Sequence, residues 1–261
     1  MTTPSFHVYG LATPLVRAGD DITTHILAAA ERSESRGIQA GDVVVVAESA
    51  LATAEGRATR LADVEPSAEA LRLAEDYQMD PRLVEVVLRE SDRIVGGIPG
   101  FLLCMKNGTL LPNAGIDASN APPGSVVLLP ADPDASAQGI RAAIAERSGV
   151  DVGVIVIDSR THAMRLGSSG VAIGCSGIPS VLDERGNTDL FGRELEVTKR
   201  AVADCIASAA ELVMGEAGEC VPAALVRGIA LPVGDYTGVA TIDASECLFM
   251  GVALHADPSL L

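Results

Sequence analysis

The spacing of hydrophobic residues changes period several times along this chain, and each change marks an element. Phe6–Leu11 reads as a short strand. After the bend Thr13-Pro14-Leu15-Val16, the acidic pair Asp20-Asp21 leads into a helical pattern over Ile22–Arg32, with Gly37 as its stop. Val43-Val44-Val45-Val46-Ala47 is an unbroken β-branched run, the mark of a strand covered on both faces. A polar loop, Ala54-Glu55-Gly56-Arg57, precedes two helices. The second starts with Asp80 as N-cap and Pro81 at its first position, and sets Leu83, Val84, Val87 and Leu88 on one face.

From Arg93 to Leu111 the chain is strand-rich, broken at Gly96-Gly97, at Pro99-Gly100 and at a hairpin signal, Asn107-Gly108. Ser125–Leu129 predicts a strand, and Asp132-Pro133 starts a helix that ends near Gly149. Val152–Ile157 predicts a buried strand closed by Asp158, followed by a polar loop over Arg160–Gly170 and an apolar run, Val171–Cys175. A long helix is expected from Glu194 to about Gly215, with Val202, Ile206, Ala209 and Val213 on one stripe. Ala223–Arg227 and Leu248–Leu254 read as the last strands. Helices and strands intermix without a strict βαβ rhythm, which predicts a mixed α/β fold with antiparallel portions. No repeat or low-complexity linker appears, so residues 1–261 read as a single unit, with two subdomains left open.

Composition narrows the function classes. Hydrophobic residues make up 48% of the 261, enough for a sizeable core, but only 3% are aromatic, so Val, Ile, Leu and Ala must fill it. A net charge of -16 disfavours nucleic acid and anionic membranes as partners. Small anions remain open, because a metal or a few Arg residues can reverse the sign locally. Five scattered cysteines without CxxC spacing point to reduced thiols and a cytoplasmic protein. Four scattered His residues argue against zinc. No signal peptide and no membrane span are expected.

Three stretches carry candidate chemistry. Asn113-Ala-Gly-Ile-Asp117-Ala-Ser-Asn120 gathers hard oxygen donors around one glycine. Asp158-Ser159 follows a buried strand, where open α/β sheets place ligands. Met214-Gly215-Glu216-Ala217-Gly218-Glu219-Cys220-Val221 adds carboxylates and two glycines that let backbone approach a ligand, without P-loop spacing. Each, taken alone, is also a plain turn sequence. Together they offer Asp117, Asp158 and Glu216 for two-metal phosphoryl chemistry, and these are expected to converge. The Gly170–Gly177 segment lacks dinucleotide-fold spacing and is expected to serve close backbone packing.

Ala54-Glu-Gly-Arg57, the Asn113–Asn120 stretch, Val171-Ala-Ile-Gly174, Asp189-Leu-Phe-Gly-Arg-Glu-Leu195 and Met214-Gly-Glu216 occur in one order. This ordered set, spread from about Gly10 to Gly228, resembles the coenzyme F-420-0:L-glutamate ligase family. The resemblance implies an unusual α/β fold in an intertwined homodimer. It also implies GTP-dependent γ-glutamyl ligation onto F-420-0 through an acyl phosphate, with Mg²⁺ or Mn²⁺ and with K⁺ as a further candidate ion. By motif, Asp117, Asp158, Ser159 and Glu216 look like metal ligands. The GTP site looks like Thr13, Pro14, Leu15, Val16, Glu48, Ser49, Asn120 and the loop Met214 to Val221. The partners implied are small molecules: GTP, L-glutamate and F-420-0. No nitroreductase-like extension, as in longer fused members, is expected beyond residue 261.

One departure stands out. Family members commonly have Ser-Lys before the Glu-Gly-Arg motif, where this chain has Ala52-Thr53. Thr53 offers a hydroxyl but no charge, and Arg160 or Arg165 would then supply the missing cation. Arg165 is the favoured choice, from a loop that can fold back. His162 reads as a loop residue. Two alternatives remain: a paralogue that ligates another amino acid or acceptor by the same route, and a non-catalytic nucleotide- or deazaflavin-binding protein.

Overall fold

The computed structural model describes residues 4–255. In chain order it runs β1 (His7–Leu11), α1 (Ile22–Arg32), β2 (Val43–Ala47), α2 (Glu48–Ala54) and β3 (Ala58–Arg60). Next come α3 (Ala68–Tyr77), α4 (Pro81–Glu90), β4 (Arg93–Ile98), β5 (Phe101–Lys106), β6 (Thr109–Pro112) and β7 (Ser125–Val127). α5 (Pro133–Ser148), β8 (Gly153–Thr161), β9 (Ser168–Ser176), β10 (Val181–Asp183) and β11 (Lys199–Ala201) follow. The described chain closes with α6 (Val202–Met214), β12 (Ala223–Arg227) and α7 (Leu248–His255). It divides into two compact units, Met1–Thr59 with Asp117–Val239, and Arg60–Ile116 with Ala240–Leu261.

The first unit is built on a five-stranded sheet ordered β1-β12-β2-β8-β9. β2 and β8 pair in parallel, and the other neighbours are antiparallel. The expected mixed α/β class with antiparallel portions is therefore what the chain forms. Side chains alternate across the sheet: Val44, Val46, Val154, Val156 and Leu225 join α1 and α5 in one core. Val43, Val45, Ile155, Ile157 and Val226 face α6 in the other. This explains the unbroken Val43–Val46 run, since no position faces water. Each such buried aliphatic contributes roughly 1.5–3 kcal/mol.

Arg227 ties β12 to the turn before β2. Its guanidinium bonds both Asp42 carboxylate oxygens at 2.8 and 2.7 Å and the Ser35 and Gly37 carbonyls at 2.8 and 2.9 Å. The glycines of β9 do what their sequence suggested. A Cβ on Gly170 would lie 2.5 Å from the Ala207 carbonyl of α6, and one on Gly174 would strike the Pro133 carbonyl.

The second unit holds α3, α4, the antiparallel sheet β4-β5-β6 and α7. Asn107 and Gly108, with φ of 49° and 73°, make the tight turn that pairs Lys106 with Thr109.

Several expected boundaries are corrected. The helix expected from Glu194 is strand and turn until Val202; β11 pairs with β10, and that pairing overrides a weak helical pattern. Its buried stripe is Val202, Ala203, Ile206, Ala207, Ala210 and Met214 rather than Val202, Ile206, Ala209 and Val213. β8 does not stop at Asp158 but continues to Thr161, and β9 begins at Ser168, so the expected Arg160–Gly170 loop shrinks to a turn. Glu48–Ala54 forms a helix that the reading missed. The strand expected over Ser125–Leu129 ends at Val127. In α4 the buried residues are Val84, Glu85, Val86 and Val87, because Glu85 turns inward to accept from the Ser67 amide at 2.9 Å. Leu248–Leu254 is helical, not a strand; Asp243 starts a turn into it by accepting from the Cys247 amide at 3.1 Å. A short apolar run does not by itself distinguish the two.

Candidate active site

The site starts from the register of the two parallel strands. Ala47 of β2 sits opposite Ile157 of β8. The next residues, Glu48 and Asp158, therefore sit where the parallel pairing stops, Glu48 just past the carboxyl end of β2 and Asp158 within β8, near the usual ligand position in an α/β sheet. Glu48 is half-buried; loss of solvent, then the Asp158 charge and the smaller Asp117 charge, push its carboxyl up to about 8. Burial likewise raises Asp158, against the lowering effect of Arg160, whose Nε donates to Asp158 Oδ2 at 2.8 Å.

Further carboxylates come from α6 and the loop after it. Burial, then Glu216, then Asp158 push Glu211 up to about 7. One of its oxygens, Oε1, is buried without a hydrogen-bond partner. Glu48, Asp117, Asp158, Glu211 and Glu216 are thus linked through one another's charge although they come from four separated segments. Among the described residues, no three Asp, Glu, His or Cys side chains form a ready ligand set around one point. The chemistry of the donors nonetheless fits a hard divalent cation. All are oxygens, they repel one another, and an orphaned buried oxygen wants a positive partner.

Backbone contacts hold the other predicted segments beside these acids. Asn120 Nδ2 donates to the Ala217 carbonyl at 3.3 Å, joining the Asp117–Asn120 turn to the Met214–Val221 loop. The Thr13 amide donates to the Cys220 carbonyl at 3.0 Å, bringing the Thr13–Val16 bend to the same loop. The Ala47 amide donates to the Pro222 carbonyl at 2.9 Å. Asp117 Oδ1 accepts from both the amide and the hydroxyl of Ser119 at 2.8 and 2.9 Å, which fixes its carboxylate. Within the loop, Gly215 has φ +75°, and a Cβ there would lie 2.6 Å from the Glu219 carboxyl carbon. A Cβ on Gly218 would meet nothing within 4 Å, so space alone does not require a glycine there.

Other expected participants stand apart. Thr53 Oγ1 donates to the Ser49 carbonyl one turn back at 2.7 Å, which commits its proton. Arg165 is exposed in the β8–β9 turn, with no side-chain partner among the described residues. His162 pairs with Ser169 in that hairpin at 2.6 Å, a loop role as expected. Ser159 is exposed on β8. The five cysteines are free thiols, as their scatter implied.

The reading from sequence missed Glu211. It sits between Ala207 and Met214 on the buried stripe of α6. An acid at i+4 and i-3 from buried apolar residues was the signal that could have found it.

Residues 10–228 match the family described as F420-0:Gamma-glutamyl ligase. A protein of Methanopyrus kandleri named "Coenzyme F420:L-glutamate ligase" is 48% identical over 215 residues, 82% of this chain and 83% of that one. The protein of that name in Methanothermobacter thermautotrophicus is 43% identical over 216 residues, 82% of this chain and 85% of that one. In Archaeoglobus fulgidus the identity is 42% over 229 residues, 88% of this chain and 89% of its relative. Matched by the family over residues 10–228 and 48% identical to a relative over 82% of its length, the chain belongs to the F420-0:gamma-glutamyl ligase family.

Proposed function

We propose that this protein is a C–N-bond-forming ligase that attaches L-glutamate to the F-420-0 carboxylate, consuming GTP. The observation that carries the reading is the placement of Glu48 and Asp158 side by side after the paired ends of β2 and β8, within reach of the charges of Asp117, Glu211 and Glu216. A carboxylate resists attack by an amine because oxide is too poor a leaving group. Transfer of the GTP γ-phosphoryl to it forms an acyl phosphate, from which phosphate leaves when the glutamate amine attacks the carbonyl carbon.

Asp117, Asp158 and Glu216 would hold Mg²⁺ or Mn²⁺, with K⁺ as a further candidate ion. The divalent ion would supply positive charge against the phosphates. The nucleotide would lie along Thr13–Val16, Asn120 and the Met214–Val221 loop. Asn120 and Thr13 fix that loop's position. The site needs no covalent nucleophile. A homodimer is part of this reading; Met164, Leu166, Leu190 and Phe191 are 94–106% exposed, apolar area that a second copy would cover.

The test is incubation with F-420-0, GTP, Mn²⁺ and L-glutamate, followed by mass spectrometry. A product heavier by one glutamyl residue, formed only with GTP, supports the assignment. No product with glutamate but a product with another amino acid moves it to the paralogue reading.

A further inference from the structure

The acidic site contains a cation of its own. Arg160 lies two residues beyond Asp158 on β8, so both side chains leave the same face of the strand. Their side chains are each 13% exposed, and Nε meets Oδ2 at 2.8 Å. The pair is preformed by the strand and shielded from solvent, so salt screens it little. A guanidinium has five donors, and among the described residues only the Nε donor of Arg160 is engaged. Its remaining donors are free for phosphate oxygens, which Arg binds in a bidentate manner.

Two positive charges cannot share Asp158 without repelling each other. A divalent ion arriving alone meets the guanidinium already on one of its ligands. A polyphosphate arriving with the ion offers Arg160 stronger acceptors and lies between the two cations as counter-charge. Thr53 brings no charge to this task, and its hydroxyl proton is already engaged by Ser49.

We propose that Arg160 makes metal binding conditional on the nucleotide: it occupies Asp158 in the empty site and moves to the nucleotide phosphates when nucleotide and metal enter together. This rests on the nucleotide- and metal-dependent reading above. Linkage then requires that metal improve nucleotide affinity by the same factor.

The experiment measures Mn²⁺ affinity of the full chain by titration calorimetry, with and without a non-hydrolysable GTP analogue, for wild type, Arg160→Gln and Arg160→Lys. Circular dichroism checks that the variants fold. In wild type the analogue is expected to tighten Mn²⁺ binding about tenfold or more. Arg160→Gln is expected to bind Mn²⁺ alone about tenfold more tightly than wild type and to lose most of the coupling. Arg160→Lys keeps a charge without the fork and is expected to retain part of it. If Arg160→Gln does not fold, Arg160→Lys decides: coupling equal to wild type overturns the inference. Unchanged Mn²⁺ affinity and coupling in Arg160→Gln also overturns it and leaves the ligase reading standing. Wild type that binds neither Mn²⁺ nor the analogue overturns the ligase reading and this inference with it.

Discussion

At the scale of single residues, the site is set by where carboxylates meet. Asp158 is the acid that Glu48, Glu211 and Arg160 all sense. Asp158→Asn keeps the shape and removes the charge; Mn²⁺ affinity by calorimetry is expected to fall more than about 100-fold, beyond the loss typical of a supporting residue. Affinity within a few-fold of wild type would falsify its role as a ligand. The raised acids also predict a pH dependence. Glu48 and Glu211, from an ordinary value of 4.5, are pushed up to about 8 and about 7 in the fold. The folded state therefore binds more protons than the unfolded chain between these values. The stability they contribute is complete below pH 4.5 and is lost as pH rises through about 7 and 8. The metal-free protein should accordingly melt lower at pH 8.5 than at pH 6, by about 2–4 °C for each kcal/mol lost. Glu48→Gln should flatten that dependence in calorimetric scans, and an equally steep profile in the variant counts against it.

At the scale of elements, β9 shows how the sheet is closed at one edge. An edge strand presents unpaired amides that invite another strand. Here the Ala172 amide donates to Asp204 and the Cys175 amide to Asp134, at 2.9 and 2.8 Å. Gly170 also bonds Glu211 through its backbone. Asp134 belongs to α5; α6, which carries Asp204 and Glu211, approaches closely enough to make its contacts because Gly170 has no side chain to strike Ala207. Gly170→Ala is expected to cost about 1–3 kcal/mol in urea unfolding, as overpacking does, and to displace Glu211. A loss under about 0.5 kcal/mol, the range of a neutral surface change, would show that α6 yields freely. Glycines at this spacing were readable as packing positions. The strand β11 was not, because Glu194–Ala201 has no local signal stronger than its pairing with β10.

At the scale of the whole molecule, the exposed apolar side chains call for a partner surface. Leu190 and Phe191 lie in the Asp189–Leu195 motif, at 98% and 94% exposure, and Val197 follows at 85%. Single exposed hydrophobics are ordinary, but a run of nearly bare Leu, Phe and Val is not. Light scattering at low micromolar concentration is expected to give a dimer, and Phe191→Glu is expected to shift it toward monomer. A wild-type monomer at that concentration removes the homodimer from the functional reading. Among the described residues, no helix is long and apolar enough to cross a membrane.

The order of motifs along the chain was enough to identify the family, because each motif is a local string that survives without its neighbours. Local strings also determined most helix starts: Asp80 caps α4 as expected, and Asp21 and Asp132, read only as residues at helix starts, cap α1 and α5, since capping acts within one turn. Val43–Val46 announced a doubly covered strand for a similarly local reason, as burial on both faces leaves no polar position. Tertiary structure alone decided the rest. Glu48 meets Asp158 only because β2 pairs with β8 in parallel, in a register that aligns Ala47 with Ile157. Arg160 became Asp158's partner only because β8 runs on past its expected end. Glu211 joined the acids only when α6 settled against β9. Charge–charge interaction depends on distance in space, and residues far apart in sequence acquire that distance only when the sheet forms.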